Sequence, residues 1–404
     1  MQQKLGVVII GVNGAVASTL IAGARLMARG LAPKLGMLTE PGGNPAPGEQ
    51  VTDFLSFPKI EDIVFAGWDM TFANVYEAAV HHGVLPRHQL DEIKEELEAM
   101  TPWPAVFSGE YAENCKGDNI VTAKDFRGEL EHIEGCITKL KADHNLDSVV
   151  MVNLASTEKW MELAECHKTL KAFDKGLDDN DPNISPAMRY FYVANKVNAP
   201  YVNFAPSLTN VPALEEQANE LGNPYAGMDG KTGQTLLKTA LAAMFKVRNI
   251  QVEGWYSINF LGNNDGLILD SPASNKTKVL SKAAVLDSIV GYRIENHQVH
   301  IHYYKPRGDA KEAWDNIDMI GFAGVPMQMK INFLCQDSIL AAPLVMDLVR
   351  LCDVANRKGD KGIQRQLSLY FKSPYTSPGE QAEHNLFEQE KLLLDWAKAH
   401  ADDK

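Results

Sequence analysis

The sequence predicts an α/β protein in which a doubly wound, mostly parallel sheet is interrupted by a second, α+β domain. Three observations carry this expectation. First, an all-apolar run, Leu5–Ile10, leads into the glycine turn Gly11-Val12-Asn13-Gly14 and a small-residue helix from Ala15 to about Gly30, the opening of a βαβ unit. Second, polar residues follow apolar strands at 153–158 and again at 203–207, where doubly wound sheets place ligand contacts. Third, after about residue 228 the texture changes to segments of alternating polarity, as antiparallel strands require.

Taken in order, residues 35–39 are the expected second strand, and 40–60, rich in Pro and Gly, a surface excursion. Residues 88–100 read as one acidic amphipathic helix. The most apolar strand, 148–152, ends in the polar cluster from Asn153 to Glu158, and a further helix and strand lead to 200–207. In the second domain, 250–261 and 297–304 read as antiparallel strands, with a helix over 236–245 before them. The chain turns helical again from Asp337, and the acidic tail from 378 is expected to pack back on the first domain. The domains are therefore expected at 1–228 plus 337–404, and at 229–336. The length agrees, since 404 residues correspond to about 2.7 units at the usual domain size.

Composition narrows the function. With 45% hydrophobic and 23% charged residues and a mean hydropathy of −0.21, the chain has the profile of a soluble globular protein with a large core. The net charge of −13 argues against nucleic-acid and anionic-membrane partners. Cys115, Cys136, Cys166, Cys335 and Cys352 are scattered, odd in number and without a C-x-x-C pair, which reads as reduced cytoplasmic thiols. The uncharged stretch from Leu5 to Ala24 has the outline of a signal peptide, but its apolar run is short and glycines and Asn13 interrupt the rest. A buried strand, turn and helix account for the same letters better.

Several motifs carry chemistry. Gly11 to Ala17 resembles a dinucleotide-binding turn, in which small residues let backbone N–H groups at a helix start approach a pyrophosphate. Asn13 stands for the second glycine and Ala17 for the third, and an ordinary strand-to-helix turn would use the same letters. Usual spacing then points to Glu40 as the ribose-binding acid. Gly230-Lys231-Thr232 is not a P-loop, because Tyr225 occupies the position of the required glycine; Thr232-Gly233-Gln234-Thr235 before a helix still suits a phosphate, or a helix cap without ligand. Asn259 to Gly266 packs three amides and a carboxylate into a turn, Lys278 and Lys282 share a face if helical, and Lys311 and Lys372 add cations later. His300 and His302 share one strand face, as metal ligands or as partly exposed strand histidines.

Together these segments resemble the myo-inositol-phosphate synthase family, from Gly11 to about Pro374. Asn259 to Gly266 is similar to the family's S-Y-N-H-L-G-N-N-D-G block, with Ile258 and Phe260 as departures. Lys278 to Lys282 resembles S-K-x-x-S-K, Gly308 to Lys311 resembles G-D-S-K, and Cys335 to Ser338 resembles C-E-D-S. Asp229 to Thr235 is similar to D-x-K-S-G-Q-T, and Phe371 to Pro374 to L-K-A-P. The first domain matches less closely, with Gly11 to Ala17 for G-W-G-G-N-N-G and Asn203 to Thr209 for N-G-S-P-Q-N-T. Gly67-Trp68-Asp69-Met70 resembles G-W-D-I, whose aspartate lies at the adenosine side of NAD, so the resemblance moves the ribose-binding acid from Glu40 to Asp69.

The resemblance implies a Rossmann-type NAD domain carrying an inserted catalytic and tetramerisation domain. It implies a redox-neutral isomerisation of glucose 6-phosphate: oxidation at C5, enolisation at C6, aldol attack on C1 and return of the hydride. Such a sequence needs bases and cations in a water-poor site. By position it implies Lys278 and Lys372 at the C5 and C1 oxygens, Lys282 and Lys311 on phosphate with the backbone of Thr232, Gly233, Gln234 and Thr235, and Asp309 and Asp337 orienting lysines. Asp229, Asn259, Leu261, Asn263 and Asp265 would bind substrate or its metal. Gly11, Val12, Asn13, Gly14, Ala15, Val16, Asp69, Ser156, Thr157, Ala205 and Asp337 would bind NAD. A divalent or monovalent cation varies within the family, and a cytoplasmic homotetramer is typical. The sequence leaves two alternatives, another NAD oxidoreductase of the homoserine-dehydrogenase kind and a non-catalytic NAD- or sugar-phosphate-binding protein.

Overall fold

In the computed structural model, residues 3–40, 48–112, 115–262 and 285–402 are described. Asn263, Asp265, Lys278 and Lys282 lie outside them.

The six residues of β1 (Leu5–Ile10) are all buried, because helices cover both faces of the sheet they centre. Strand alternation sends them into two different cores. Leu5, Val7 and Ile9 meet α1 (Ala15–Ala28), whereas Val8 and Ile10 meet α5 (Phe126–His144) and α7 (Pro186–Lys196). Each such aliphatic side chain contributes about 1.5–3 kcal/mol relative to exposure. The strand beside β1 is β2 (Ile63–Trp68), not the expected 35–39 segment. That segment forms a turn in which Leu35 and Leu38 are exposed, and the Leu38 and Thr39 N–H groups are held by the buried Asp347 carboxylate.

With β3 (Ser148–Asn153), β4 (Tyr201–Asn203), β5 (Pro224–Gly227) and β10 (Gly362–Ile363), the parallel sheet runs β10-β5-β4-β3-β1-β2. The order reverses between β1 and β3, which places the ligand crevice at their carboxyl ends. The expected 88–100 helix is two short pieces, α3 (Arg87–Glu92) and α4 (Lys94–Glu98), divided at Ile93, whose φ of −120° is not helical. They follow α2 (Val75–His82), whose start is capped by the Asn74 side chain. Two further helices, α6 (Leu170–Asp179) and α8 (Pro212–Leu221), cover the same face as α7.

The second sheet contains β6 (Gln251–Leu261), β7 (Asn296–Tyr303), β8 (Ala310–Ile320) and β9 (Pro326–Gln336) in the order β7-β6-β8-β9. Here an expectation fails: β6 and β7 pair parallel, not antiparallel. The long connection from Gly262 to Glu295 makes that possible, since parallel neighbours need a crossover rather than a hairpin. One face of this sheet packs Trp255, Ile317 and Met319 against α9 (Gly233–Val247). The chain then returns to the first sheet through α10 (Asp337–Arg357), whose Val345, Leu348, Val349 and Cys352 complete the core on the α1 side. The last helix, α11 (Leu386–Ala399), is tied back through the Trp396 indole to Asp360 and Lys398 to Glu49.

Candidate active site

A cavity of about 610 Å³ opens at the carboxyl ends of β1, β2 and β3 and is closed on its far side by residues that follow β6 and β7. Gly11, Asn13, Gly14, Ala15, Asp69 and Ser156 line it, as do Gly262, Tyr303 and Asp309. Of the other residues expected at the cofactor, Val12 and Ala205 are buried apolar residues, Thr157 is buried, Val16 packs against the core, and none of them lines the cavity wall. Asp337 belongs instead to the lysine cluster described below.

The turn is shaped for close approach. Gly11 has φ +85°, and a Cβ there would meet the Ala155 backbone at 3.0 Å. Gly14 begins α1 with no side-chain cap, leaving the helix start open. Asn13, in place of a glycine, donates its backbone N–H to Asp69 Oδ2 at 2.9 Å and its side-chain amide to the Thr71 carbonyl at 2.7 Å. Its Oδ1 is buried and has no partner among the described residues, so a polar ligand group is left to satisfy it. Asp69 stands at the end of β2, with Oδ1 accepting from the Thr71 N–H and hydroxyl. Burial pushes its carboxyl above the usual range, against the opposing pull of those hydrogen bonds. Glu40, the acid that spacing alone favours, is bound by Lys34 and the buried Arg350. An open helix start, a glycine turn and an orphaned amide oxygen around one cavity fit a dinucleotide such as NAD.

His82 was not singled out by sequence. At the end of α2, its Nε2 lies 2.9 Å from the Asn13 carbonyl, and burial lowers its pKa despite the nearby Asp309 and Asp69 carboxylates. Only its place just before a helix-ending glycine marks it in the sequence.

Beside the cavity, the segment from Asp229 to Thr235 meets three of the residues expected to be catalytic, Lys311, Asp337 and Lys372, from three distant parts of the chain. Lys372 donates to Asp229 Oδ1 at 2.7 Å, and its backbone N–H donates to the Asp229 carbonyl at 2.7 Å. Asp337 Oδ1 accepts from the Thr232 hydroxyl at 3.0 Å and from Lys311 Nζ at 3.4 Å. Gly233, at φ +57°, faces Lys311, whose Cδ would lie 3.8 Å from an added Cβ. Thr232 makes no side-chain cap to α9, so a second helix start is open beside Lys311. Asp309, on the cavity wall, accepts from the Ser338 N–H and hydroxyl at 3.1 and 2.8 Å, which joins the cavity to this cluster. Gln234 and Asn259 are buried and hydrogen-bonded to each other at 2.6 Å, and Leu261 is buried at the end of β6. Thr235 is buried in the first turn of α9.

Stacked and 6.3 Å apart, His300 and His302 share a face of the second sheet. No group of three His, Cys, Asp or Glu among the described residues is placed to hold a metal ion.

A NAD-binding family model described as Myo-inositol-1-phosphate synthase matches residues 5–398. The chain is 42% identical to inositol-3-phosphate synthase 1 of Bacteroides thetaiotaomicron, over 96% of this chain and 94% of that one. It is 28% identical to inositol-3-phosphate synthase of Saccharomyces cerevisiae, over 97% of this chain and 84% of that one. The fold superposes on inositol-3-phosphate synthase of Caenorhabditis elegans with a TM-score of 0.90 at 25% identity, covering 99% of this chain and 86% of that one. A myo-inositol-1-phosphate synthase-related protein of Thermotoga maritima shares the fold at a TM-score of 0.75 and 23% identity, over 98% of each chain. A parallel sheet with a glycine-turn cavity, a cluster beside it that joins Lys311 of the second sheet to Lys372 from the segment after β10, and a match along nearly the whole length agree: the chain belongs to the myo-inositol-1-phosphate synthase family.

Proposed function

We propose that this chain is an NAD-dependent isomerase that converts D-glucose 6-phosphate to 1D-myo-inositol 3-phosphate. The observation that carries the site assignment is the segment from Asp229 to Thr235, on which two lysine–carboxylate pairs, Lys372–Asp229 and Lys311–Asp337, meet beside an open helix start. NAD held by the Gly11 to Gly14 turn and Asp69 would supply reversible hydride transfer at C5 of the sugar, which leaves the overall reaction redox-neutral.

The chain's own residues have three tasks. The first is to hold the dianionic phosphate, assigned to Lys311 and Lys282 with the N–H groups of Thr232 to Thr235 at the positive end of α9. The second is proton movement at the C5 hydroxyl, assigned to Lys278. The third is stabilisation of the C1 oxygen as it becomes an alkoxide, assigned to Lys372, which Asp229 holds in place. Asp337 fixes the Lys311 ammonium relative to Thr232, and Asp309 fixes the start of α10 that carries Asp337. Asn259, Asn263 and Asp265 bind the sugar or an accompanying divalent or monovalent cation.

We further assign a cytoplasmic homotetramer. All five cysteines are free, and no described helix is long and apolar enough to cross a membrane. Assembly is assigned to the second sheet, whose outward side exposes Trp314 and Leu334 and whose β8–β9 turn exposes Phe322.

Incubation with NAD+ and glucose 6-phosphate, followed by periodate-released phosphate and by NADH absorbance, tests the activity. Product without net NADH is expected, whereas net NADH would indicate a dehydrogenase. Lys278→Ala should abolish conversion while NAD still binds, and full turnover by that variant would overturn the assignment of Lys278.

A further inference from the structure

We propose that Asp315 is a positioning residue of the substrate site. It sets the polarity of an amide chain so that Asn259 presents a carbonyl oxygen, and the site thereby selects a hydroxyl donor on the sugar phosphate. The inference deepens the assignment of Asn259 to the substrate and rests on it.

Asp315 lies on β8 directly opposite Ser257 of β6, and Trp255, Ser257 and Asn259 share one strand face at two-residue spacing. That face is dry: Asp315 is 4% exposed, and Trp255, Ser257 and Asn259 are 1% or less. The carboxylate oxygens accept and cannot donate. Oδ1 takes the Trp255 indole N–H at 2.7 Å and the Ser257 hydroxyl at 2.8 Å; Oδ2 takes Gln234 Nε2 at 2.9 Å. Gln234 has thus committed its NH2 group to Asp315 and must turn its carbonyl toward Asn259. Asn259 answers with its own NH2, at 2.6 Å. One acceptor then remains at the end of the chain, Asn259 Oδ1, which is buried and without a partner among the described residues. A buried acceptor left unpaired is costly, and a ligand hydroxyl relieves that cost. Without Asp315, either amide could reverse and offer NH2 instead.

The decisive variant is Asp315→Asn. Its oxygen would stay with Trp255 and Ser257, which can only donate to it or gain most by donating, and its NH2 would face Gln234. Both amides would then reverse, and Asn259 would present a donor where the substrate also offers one. The expected result is a fall in kcat/KM for glucose 6-phosphate of about 10- to 100-fold, with the Kd for NAD unchanged. Adding Gln234→Glu supplies acceptors on both sides, returns Asn259 to its original polarity, and should recover most of the loss. Ser257→Ala removes one donor from Asp315 without turning Gln234; it should lower Tm and leave kcat/KM intact.

Wild-type kcat/KM in D315N overturns the proposal. So does a double variant as impaired as the single, or an S257A loss equal to that of D315N. Should D315N fail to fold, Gln234→Met removes both amide bonds while Asp315 keeps its other partners, and wild-type kcat/KM there overturns the proposal equally. Asn259→Leu separates the two possible failures. No effect of N259L removes Asn259 from the substrate site, whereas a large effect of N259L with none of D315N leaves the site assignment standing and rejects only the positioning role.

Discussion

Where β1 and β2 meet the cavity, the wall is the Gly11 to Gly14 turn, the open start of α1, and a carboxylate, Asp69, that accepts from the Asn13 N–H of the turn and from Thr71. Where the second sheet and α10 meet the neighbouring cluster, the wall is side-chain charge, with Lys311 on Asp337 and Lys372 on Asp229. The first kind of surface suits recognition by shape and pyrophosphate charge, and it accommodates Asn13 in place of glycine because the Asn13 NH2 group is taken up by the Thr71 and Phe72 carbonyls, leaving only Oδ1 toward a ligand. The second kind is suited to neutralising charge that develops during a reaction, and under the proposed function it depends on the identity of each residue. Binding and chemistry are therefore expected to fail separately.

The largest test of that separation is Lys372→Met. Loss of the cation at a developing alkoxide is expected to lower kcat by about 10³-fold, or about 4 kcal/mol, with the Kd for NAD unchanged. Steady-state turnover together with NAD titration by tryptophan fluorescence reads both quantities. Weakened NAD binding equal to the loss in kcat would show that the two surfaces are not independent.

The same contrast explains what the sequence reveals. β1, β3 and α10 are legible because burial on both sides leaves an apolar run or an unbroken helical pattern. The second strand is not. Ile63–Trp68 is at least as apolar as 35–39, but a βαβ unit is expected to resume soon after α1, which favours 35–39; that segment instead exposes Leu35 and Leu38 and engages Asp347. β9 is an edge strand whose residues alternate between exposed and partly buried, and the alternation of Met327, Met329, Ile331 and Phe333 with polar residues makes it legible in principle, although no motif draws attention to it. In the candidate site, motif resemblance singles out Lys311, Lys372 and Asp69, whereas spacing favours Glu40, which the structure pairs with Lys34 and Arg350. Asp315 is illegible at that level, since its three partners come from α9 and β6 and only the β6–β8 register brings them together.

Lys231 sharpens the comparison within the charged region. Lys311 and Lys372 have carboxylate partners, whereas the buried Lys231 ammonium donates to the amide oxygen of Gln389 on α11, and burial draws its pKa down to about 7. Burial lowers the pKa of His384, and the nearby Lys231 charge lowers it further. Between the folded value of about 7 and the ordinary value of 10.5, the unfolded chain holds a proton that the folded chain has lost. Stability therefore rises with pH through that window, by up to about 1.4 kcal/mol per pH unit, and the full penalty stands below it. Lys231→Met removes the slope. Relative to wild type, the variant's urea midpoint should be highest near pH 7 and lose that advantage by pH 10. A difference constant with pH would mean that the ammonium keeps its water in the folded state.

Asp69→Asn gives the smallest effect and tests the first kind of surface directly. The carboxylate accepts from Asn13 N–H at Oδ2 and from both Thr71 donors at Oδ1. An amide has one accepting oxygen, and the two donors of Thr71 outweigh the one of Asn13, so the new NH2 group is forced against the Asn13 N–H. The turn loosens where the pyrophosphate is expected, while the lysine cluster is untouched. The Kd for NAD should rise about tenfold, or about 1.4 kcal/mol, with kcat at saturating NAD preserved. The reverse pattern, an intact Kd with reduced kcat, would place Asp69 with the chemistry. It would also mean that its contacts to Asn13 and Thr71 are not what shapes the dinucleotide surface.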